Sequence, residues 1–348
     1  MGQTINKLTI KGYKSIRNLE NFELRNINIL IGTNGAGKSN FIEFFRILEE
    51  ISKGEESLQH YVSYMGGADK LLFLGSKVTP LTKVDIWTTD IWTQFELKAT
   101  KVNRLEYLQM HVNETTGLDE AGRNAKFDTL RQGIYRDHKY YHFHDTSDFA
   151  VVKKPGSKRD YEYLRPDGRN LAAFLLRLKK KHQRDYASIR EVIQLAAPFF
   201  DDFWLREEDD RDDILLEWRQ KGSDYPFHPS QISDGTLRFI CLATALLQPD
   251  PPSTILLDEP ELGLHPYALT LLAGLIQKAS LKTQVIVSTQ SAALIDHFQP
   301  EDIVIVERQN GESIFKRLNK DDLKVWIDDY SLGELWQMNV LGGRPARE

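Results

Sequence analysis

Residues 32–39 of this 348-residue chain match the phosphate-loop pattern G-x-x-x-x-G-K-[ST] without a mismatch. This pattern supports binding of a nucleotide's phosphates, because glycines let backbone N–H groups close around anionic oxygens at the positive end of a helix. Lys38 is expected to reach the β- and γ-phosphates, and Ser39 is expected to bind Mg²⁺. The candidate nucleotide ligands are Gly32, Thr33, Asn34, Gly35, Ala36, Gly37, Lys38, Ser39 and Asn40.

A pair of carboxylates forms the second chemical feature. Residues 254–257 are of buried-strand type, and Asp258 and Glu259 follow them directly. Opposite a phosphate loop, Asp258 would hold the Mg²⁺ shell and Glu259 would orient or deprotonate an attacking water. A strand that ends in an acidic turn is common by itself. Downstream of a phosphate loop, however, the pair predicts a site that hydrolyses a nucleotide.

A third feature, Ser233-Asp234-Gly235, opens a predicted helix about 25 residues before Asp258. A serine and a glycine at a helix N-terminus form an anion site. Ser233 alone would be an ordinary helix cap in most proteins. The order of the three features along the chain favours the anion-binding interpretation.

Regular elements are predicted on both sides of these features. A strand at 27–31 leads into the phosphate loop and a helix follows it to about residue 51, which is the context that the motif requires. After Pro229, strands alternate with helices, so a parallel sheet is predicted. The predicted elements there are helices at 234–247, 266–280 and 291–297, strands at 254–258 and 284–288, and a hairpin of 303–307 with 313–317.

Composition narrows the class of protein. Charged residues make up 27% of the chain, apolar residues make up 41%, and the formal net charge is −5, as in a soluble globular protein without a general attraction to nucleic acid. The single cysteine, Cys241, excludes an intrachain disulfide and favours a reducing compartment. No signal peptide or membrane-length apolar run is recognised, so a cytoplasmic location without a membrane partner is expected.

Together these motifs resemble an ABC-type ATPase of the SMC/RecF/OLD-like branch, which includes AAA_21-type ATPases. Residues 14–17 (Lys-Ser-Ile-Arg) are similar to the N-terminal strand motif of that branch, and residues 261–266 resemble its D-loop. Gln290 occupies the switch position, where many ABC ATPases have a histidine. The resemblance is specific over residues 1–50 and 228–310, and looser in between, where residues 141–147 carry it.

The resemblance implies an α/β fold, with a parallel core sheet and an antiparallel β part in the ATPase head. The head is expected to comprise residues 1–51 and 229–348. An inserted lobe, residues 52–228, is expected to be β-rich to about 150 and basic and helical over 151–200. A β-hairpin to about 220 would pair 203–205 with 214–216 around an acidic turn. Neither a coiled coil nor a fused TOPRIM nuclease domain is expected.

For function, the resemblance implies an ATPase that uses ATP and Mg²⁺ and dimerises head-to-tail, or forms a higher oligomer. Ser233, Asp234 and Gly235 would then complete the nucleotide site of a second copy. Such a switch would control a separate effector, for example a nuclease or a toxin, in prokaryotic DNA maintenance or anti-phage defence. Because Gln290 cannot carry a proton or a charge, slow or partner-stimulated hydrolysis is predicted. Two alternatives stay open: an ATP-sensing scaffold with little hydrolysis, and a transporter nucleotide-binding subunit.

Four other features have two interpretations each. Lys179, Lys180 and Lys181, in the basic segment 151–184, are candidate contacts to DNA or form a solvated helix face. His142 and His144 share one face of an extended segment, and a structural role is favoured over a metal site. Gln59 and Gln94 are both candidates for the Q-loop glutamine. The apolar tail after Asp328 packs on the head or binds a partner, and packing is favoured.

Overall fold

The computed structural model describes residues 4–114, 137–206, 212–326 and 328–342. Its strands are β1 (Lys7–Tyr13), β2 (Ile16–Glu23), β3 (Ile27–Ile31), β4 (Leu81–Trp87), β5 (Ile91–Ala99), β6 (Leu105–Glu114), β7 (His138–Tyr141), β8 (Gly156–Ser157), β9 (Phe200–Trp204), β10 (Asp213–Ile214), β11 (Glu217–Gln220), β12 (Pro226–Phe227), β13 (Thr254–Asp258), β14 (Gln284–Thr289), β15 (Ile303–Gln309) and β16 (Glu312–Arg317). Its α-helices are α1 (Lys38–Lys53), α2 (Glu55–Tyr64), α3 (Ala68–Leu71), α4 (Leu171–Lys181), α5 (Gln183–Ala196), α6 (Asp234–Leu247), α7 (Pro266–Ala279), α8 (Ala292–Ile295) and α9 (Leu332–Gln337).

The chain divides into two compact units. Unit 1 comprises Met1–Tyr140, Pro252–Leu256 and Thr283–Glu348, and unit 2 comprises Tyr141–Pro251 and Leu257–Lys282. The head and lobe limits predicted from the sequence stay a prediction. Strands β4, β5 and β6, which were expected in the inserted lobe, pair in one sheet with β1 and β2 of unit 1.

The central sheet of unit 1 positions the phosphate loop. Its strand order is β16-β15-β3-β14-β13-β7, and β3 pairs in parallel with both β14 and β15. Every residue of β14 is buried, as is typical of a parallel strand covered on both faces. Ile31, the last residue of β3, lies opposite Thr289 in β14 and Ile305 in β15. The predicted parallel sheet is therefore confirmed, and the phosphate loop leaves it at the carboxyl edge.

An antiparallel sheet in the order β2-β1-β4-β5-β6 forms the second layer of unit 1. Its inner face shares an apolar core with α1, which includes Ile10 and Ile86 of the sheet and Phe41 and Phe44 of the helix. Helix α1 is thus fixed through its aromatic face, which places its first turn at the phosphate loop. Among the described residues, no helix is both long enough and apolar enough to span a membrane.

Unit 2 contains α4 to α7 and two small sheets, with strand orders β12-β11-β9 and β10-β8. The predicted pairing of 203–205 with 214–216 is wrong, because β9 pairs with β11 and β10 pairs with β8. Trp218 accounts for this register. Its ring is 4% exposed and stacks on Phe200 and Phe227, with centroids 6.1 and 4.8 Å away. The predicted acidic turn lies mostly outside the described residues.

Candidate functional site

The phosphate loop in unit 1 has the backbone conformation that its glycines permit. Gly35 and Gly37 have φ values of 79° and 109°, in the left-handed region that L side chains rarely adopt. Gly37 is the N-cap of α1, and no side chain caps that helix end. No acidic side chain lies in the first turn of α1 either. The N-terminal N–H groups and the helix dipole therefore suit a bound anion.

Lys38 is folded back over the loop. Its ammonium Nζ donates to the carbonyl oxygens of Gly32 and Thr33, at 2.6 and 3.1 Å. The side chain is 5% exposed. These contacts hold the Lys38 amino group directly at the loop, where phosphate oxygens of a nucleotide would bind it.

A magnesium ion at this site would need ligands from water and from nucleotide phosphates in addition to protein side chains. Among the described residues, no group of three or more His, Cys, Asp and Glu side chains could hold a metal ion by itself. Hard cations of this size keep several waters and take one or two protein ligands beside phosphate oxygens. Ser39 in unit 1 has a hydroxyl and Asp258 in unit 2 has a carboxylate. Each, taken by itself, is a donor of the type that fits Mg²⁺ bound with a nucleotide.

Gln290 emerges at the same edge of the central sheet as the phosphate loop. It follows Thr289, which lies opposite Ile31, the residue before Gly32. Ser291 then caps α8, since its Oγ accepts a hydrogen bond from the Leu294 N–H at 3.1 Å. The structure thus brings Gln290 and the phosphate loop to one edge of unit 1. The role of Gln290 as a switch residue stays a prediction.

Asp258 ends β13 and Glu259 follows it, and the backbone of both belongs to unit 2. Glu259 has a φ of 42°, an uncommon conformation for a residue with a side chain. Strained backbone of this kind concentrates at functional sites. The carbonyl oxygen of Asp258 is held by the His144 ring, whose Nε2 lies 2.8 Å away. His144 is therefore a support of the strand end, in agreement with the structural role favoured from the sequence.

Arg238 is a residue of this region that sequence reasoning missed. Its guanidinium donates to the backbone carbonyls of Phe143 and His144, both at 3.0 Å, and to that of Leu262. Partial burial lowers its pKa from the ordinary value, although an arginine stays charged in proteins. One cation thus ties α6 to two separate segments of unit 2. No local pattern around Arg238 signals these contacts, because its partners lie 94, 95 and 24 residues away.

The Ser233-Asp234-Gly235 motif begins α6, as predicted. Ser233 caps the helix, with its Oγ 3.3 Å from the Thr236 N–H. Gly235 packs directly on the segment 261–266, since a Cβ there would collide with the carbonyl oxygen of Gly263. Asp234 lies 3.4 Å from the ammonium of Lys153. The motif and the segment 261–266, which resembles a D-loop, are therefore packed together within unit 2.

Comparison with known proteins assigns the family. The family model described as "AAA domain, putative AbiEii toxin, Type IV TA system" (AAA_21) matches residues 27–296. The chain belongs to this AAA_21 family. A search of curated proteins finds no match to it.

Solved SMC head structures share the fold of this AAA_21 chain. The SMC head bound to the C-winged helix domain of ScpA aligns at 19% identity and TM-score 0.63, over 92% of this chain and 99% of that one. The Pyrococcus furiosus Smc head bound to the C-terminal domain of ScpA aligns at 17% identity and TM-score 0.61, over 94% and 99%. The Thermotoga maritima SMC head aligns at 19% identity and TM-score 0.50, over 91% and 99%. The chain therefore has the fold of an SMC/RecF-like ABC-type ATPase head.

The remaining candidates of the AAA_21 chain are placed as follows. Lys179 forms an ion pair with Asp202 at 2.9 Å, while Lys180 and Lys181 are exposed at the end of α4. Contact of these lysines with nucleic acid stays a prediction. The rings of His142 and His144 lie 4.4 Å apart, consistent with the shared face expected from the sequence.

The two Q-loop candidates both make contacts within unit 1. The side-chain amide of Gln59 donates to the carbonyl of Leu105, and that of Gln94 donates to the carboxylate of Asp85 at 2.5 Å. The assignment of the Q-loop glutamine stays open between them. In the C-terminal tail, Leu332 and Leu335 are buried and Met338 is 45% exposed, so part of the tail packs as expected.

Proposed function

We propose that this AAA_21 chain is an ATP-dependent switch that binds and hydrolyses ATP with Mg²⁺. The observation that carries the proposal is the phosphate loop of unit 1. Its uncapped helix end, its left-handed glycines and the carbonyl-bound ammonium of Lys38 form a site for phosphate oxygens. Family membership and the SMC-head fold support a nucleotide as the source of those phosphates.

Each site residue has a separate task in this proposal. Lys38 binds the β- and γ-phosphates, and Ser39 and Asp258 hold the metal shell. When bound, Mg²⁺ supplies charge neutralisation at the phosphate oxygens. Glu259 orients an attacking water and accepts its proton, and Gln290 donates a hydrogen bond from its amide. The amide of Gln290 cannot take up a proton, so we expect hydrolysis to be slow in the isolated chain.

A second copy of the chain completes the site in our proposal. Ser233 and Gly235 lie at the N-terminus of α6, where N–H groups and the helix dipole attract an anion. They would contact the nucleotide held by the phosphate loop of the partner, so that ATP joins two copies head-to-tail. A homodimer of this type has two equivalent sites.

The proposed output is control of a separate effector protein in the cytoplasm. Two of the SMC heads with this fold are bound to a domain of another protein, ScpA, which supports a partner protein in general. We propose a nuclease or a toxin as the effector, in prokaryotic DNA maintenance or anti-phage defence. Phosphate release by the chain, measured alone and with DNA, separates this switch from an ATP-sensing scaffold that hydrolyses little.

Glu259→Gln provides the test of the switch, because it retains nucleotide binding and removes the proton acceptor. We expect the variant to form a stable dimer with ATP and Mg²⁺, as measured by light scattering during gel filtration. The matched control is Lys38→Ala/Glu259→Gln, which should stay monomeric with ATP. A Glu259→Gln variant that stays monomeric with saturating ATP would contradict the proposed dimer.

A further inference from the structure

Three polar side chains form a connected hydrogen-bond chain against the phosphate loop. The side-chain amide of Asn40 lies 2.8 Å from the Ser15 hydroxyl, which lies 2.7 Å from the Ser313 hydroxyl. The Ser313 hydroxyl in turn lies 2.6 Å from the carbonyl oxygen of Ala36 in the loop. Ser15 and Ser313 are 7% and 2% exposed. This hydrogen-bond chain therefore runs through the interior of unit 1, where its two hydroxyls are shielded from water.

The donors and acceptors permit one proton arrangement in which every contact is a hydrogen bond. The carbonyl of Ala36 can only accept, so the hydroxyl of Ser313 must donate to it. Each hydroxyl has one proton, so Ser15 must donate to Ser313 and then accept from the Asn40 amide. The order of donation is Asn40, Ser15, Ser313, Ala36. This order identifies Ser313 as the residue that fixes the loop.

The hydrogen bond from Ser313 to the Ala36 carbonyl determines the direction of the N–H that follows it, that of Gly37. In a planar trans peptide the C=O and the N–H point in opposite directions. A carbonyl of Ala36 turned inward to Ser313 therefore turns the N–H of Gly37 outward, to the side where phosphate-loop amides meet an anion. Gly37 is also seated tightly, because a Cβ there would collide with the Ser313 hydroxyl and lie 2.7 Å from that of Ser15.

The hairpin β15–β16 holds Ser313 in place and makes a second contact with the loop. The N–H of Ser313 donates to the carbonyl of Ser15 at 2.7 Å. Arg308, which pairs with Ser313 across the hairpin, donates to the carbonyl of Gly35 at 3.3 Å. Side chains of one hairpin thus bind two consecutive carbonyls of the phosphate loop. Both hairpin residues lie beyond residues 27–296, which the family model matches.

We infer that Ser313 is a positioning residue for nucleotide binding, which acts by aiming the Gly37 N–H through the Ala36 carbonyl. This inference rests on the proposed function, in which the loop binds ATP. It makes the C-terminal hairpin part of the nucleotide site. Loss of the hydroxyl is expected to let the Ala36–Gly37 peptide rotate, so that nucleotide phosphates lose an aligned donor.

Ser313→Ala tests the inference, with Ser52→Ala as its matched control. Ser52 is 5% exposed, and its hydroxyl also donates to a backbone carbonyl, that of Glu49, at 2.6 Å. The two substitutions therefore remove the same kind of buried hydrogen bond, near the loop and at the far end of α1. We expect Ser313→Ala to weaken binding of a fluorescent ADP analogue with Mg²⁺ roughly three- to tenfold, and Ser52→Ala to change it less than about twofold.

The outcomes separate the inference from the proposed function. If the wild-type chain binds the analogue and Ser313→Ala binds it equally well, the inference is overturned while the proposed function stands. If the wild-type chain does not bind it, the proposed function and the inference both fail. Equal weakening by Ser313→Ala and Ser52→Ala, together with equal loss of thermal stability, would show a general structural effect and also overturn the inference. If Ser313→Ala does not fold, Ser15→Ala is the second variant, because it breaks the same hydrogen-bond chain one step earlier. A dissociation constant of Ser15→Ala that is unchanged from wild type also overturns the inference.

Discussion

The phosphate loop of unit 1 and the carboxylate region of unit 2 are supported in different ways. In unit 1, the hydroxyl of Ser313 and the cations of Arg308 and Lys38 each bind carbonyls of the loop, so the contacts are divided among several side chains. In unit 2, the single cation of Arg238 binds three backbone carbonyls. Three backbone contacts of the carboxylate region are therefore concentrated in one side chain, whereas the contacts of the loop are distributed.

Arg238→Ala should produce the largest effect. It removes three hydrogen bonds and leaves the carbonyls of Phe143, His144 and Leu262 without this donor, so we expect a loss of about 2–4 kcal/mol in the free energy of unfolding. Urea denaturation measures this loss. The matched control is Arg177→Ala, because the guanidinium of Arg177 donates to one backbone carbonyl, that of Glu162, at 2.7 Å.

For that control we expect a loss below about 1 kcal/mol, since its single bond is exposed to solvent. Similar losses for the two arginine variants would remove the contrast between concentrated and distributed support. Arg238→Ala should also reduce phosphate release more than Arg177→Ala does.

Acidification should reveal a charge effect in unit 1 through His138. This ring is 1% exposed, and burial lowers its pKa to about 3. In the unfolded chain the His138 ring binds a proton near pH 6.5, whereas in the folded chain it stays neutral at that pH. The free energy of unfolding is therefore retained in full above pH 6.5 and decreases as the pH falls toward 3. The expected loss is about 1.4 kcal/mol per pH unit below 6.5.

The variant His138→Phe isolates this contribution. Phenylalanine preserves an aromatic contact with Phe45, whose ring centroid lies 5.5 Å from that of His138, and cannot titrate. The neighbouring Asp137 has a pKa raised by burial, which acts in the opposite direction and is common to both proteins. Unfolding measured from pH 7 to pH 5 should therefore show a steeper loss for wild type. Parallel curves would contradict the prediction.

Cys241 provides the smallest but most local measurement, as a probe of unit 2. It lies on α6 three residues after Arg238, is 2% exposed, and burial raises its pKa to about 12. The thiolate is the reactive form, so labelling of the folded chain at pH 8 should be slow. Because Cys241 is the single cysteine, all labelling reports this helix. Arg238→Ala should accelerate labelling of Cys241, and Ser313→Ala should not. Equal labelling rates in these two variants would contradict independent support of the phosphate loop and the carboxylate region.

Local signals account for the parts of the fold that the sequence predicted well. Helix α6 was predicted at 234–247 and is found at Asp234–Leu247, because Ser233 caps it and a continuous apolar run fills it. Strand β13 was likewise predicted with its observed bounds, since an apolar run meets two carboxylates. Helix α2 was missed, although Leu58, Tyr61 and Val62 have helical spacing, because it starts directly after the glycine that ends α1.

Contacts between distant segments account for what the sequence did not predict. Ser15 and Ser313 are 298 residues apart, and neither has a neighbour pattern that indicates the other. Strand β11 was missed as the partner of β9, because its register depends on packing of Trp218 between rings from two other strands. The motif residues could be found because each carries its chemistry in consecutive positions. The residues that support these motifs from distant parts of the sequence could not be found in this way.

Mixing two inactive variants tests the central claim, a nucleotide site shared between two copies, most directly. Lys38→Ala disables the phosphate loop, and Ser233→Arg disables the motif at the start of α6. In a head-to-tail dimer of one copy of each, one of the two sites contains an intact loop and an intact motif. Each variant alone should release no phosphate above background, and an equal mixture should regain about a quarter of wild-type phosphate release. A mixture as inactive as its components would contradict the shared site.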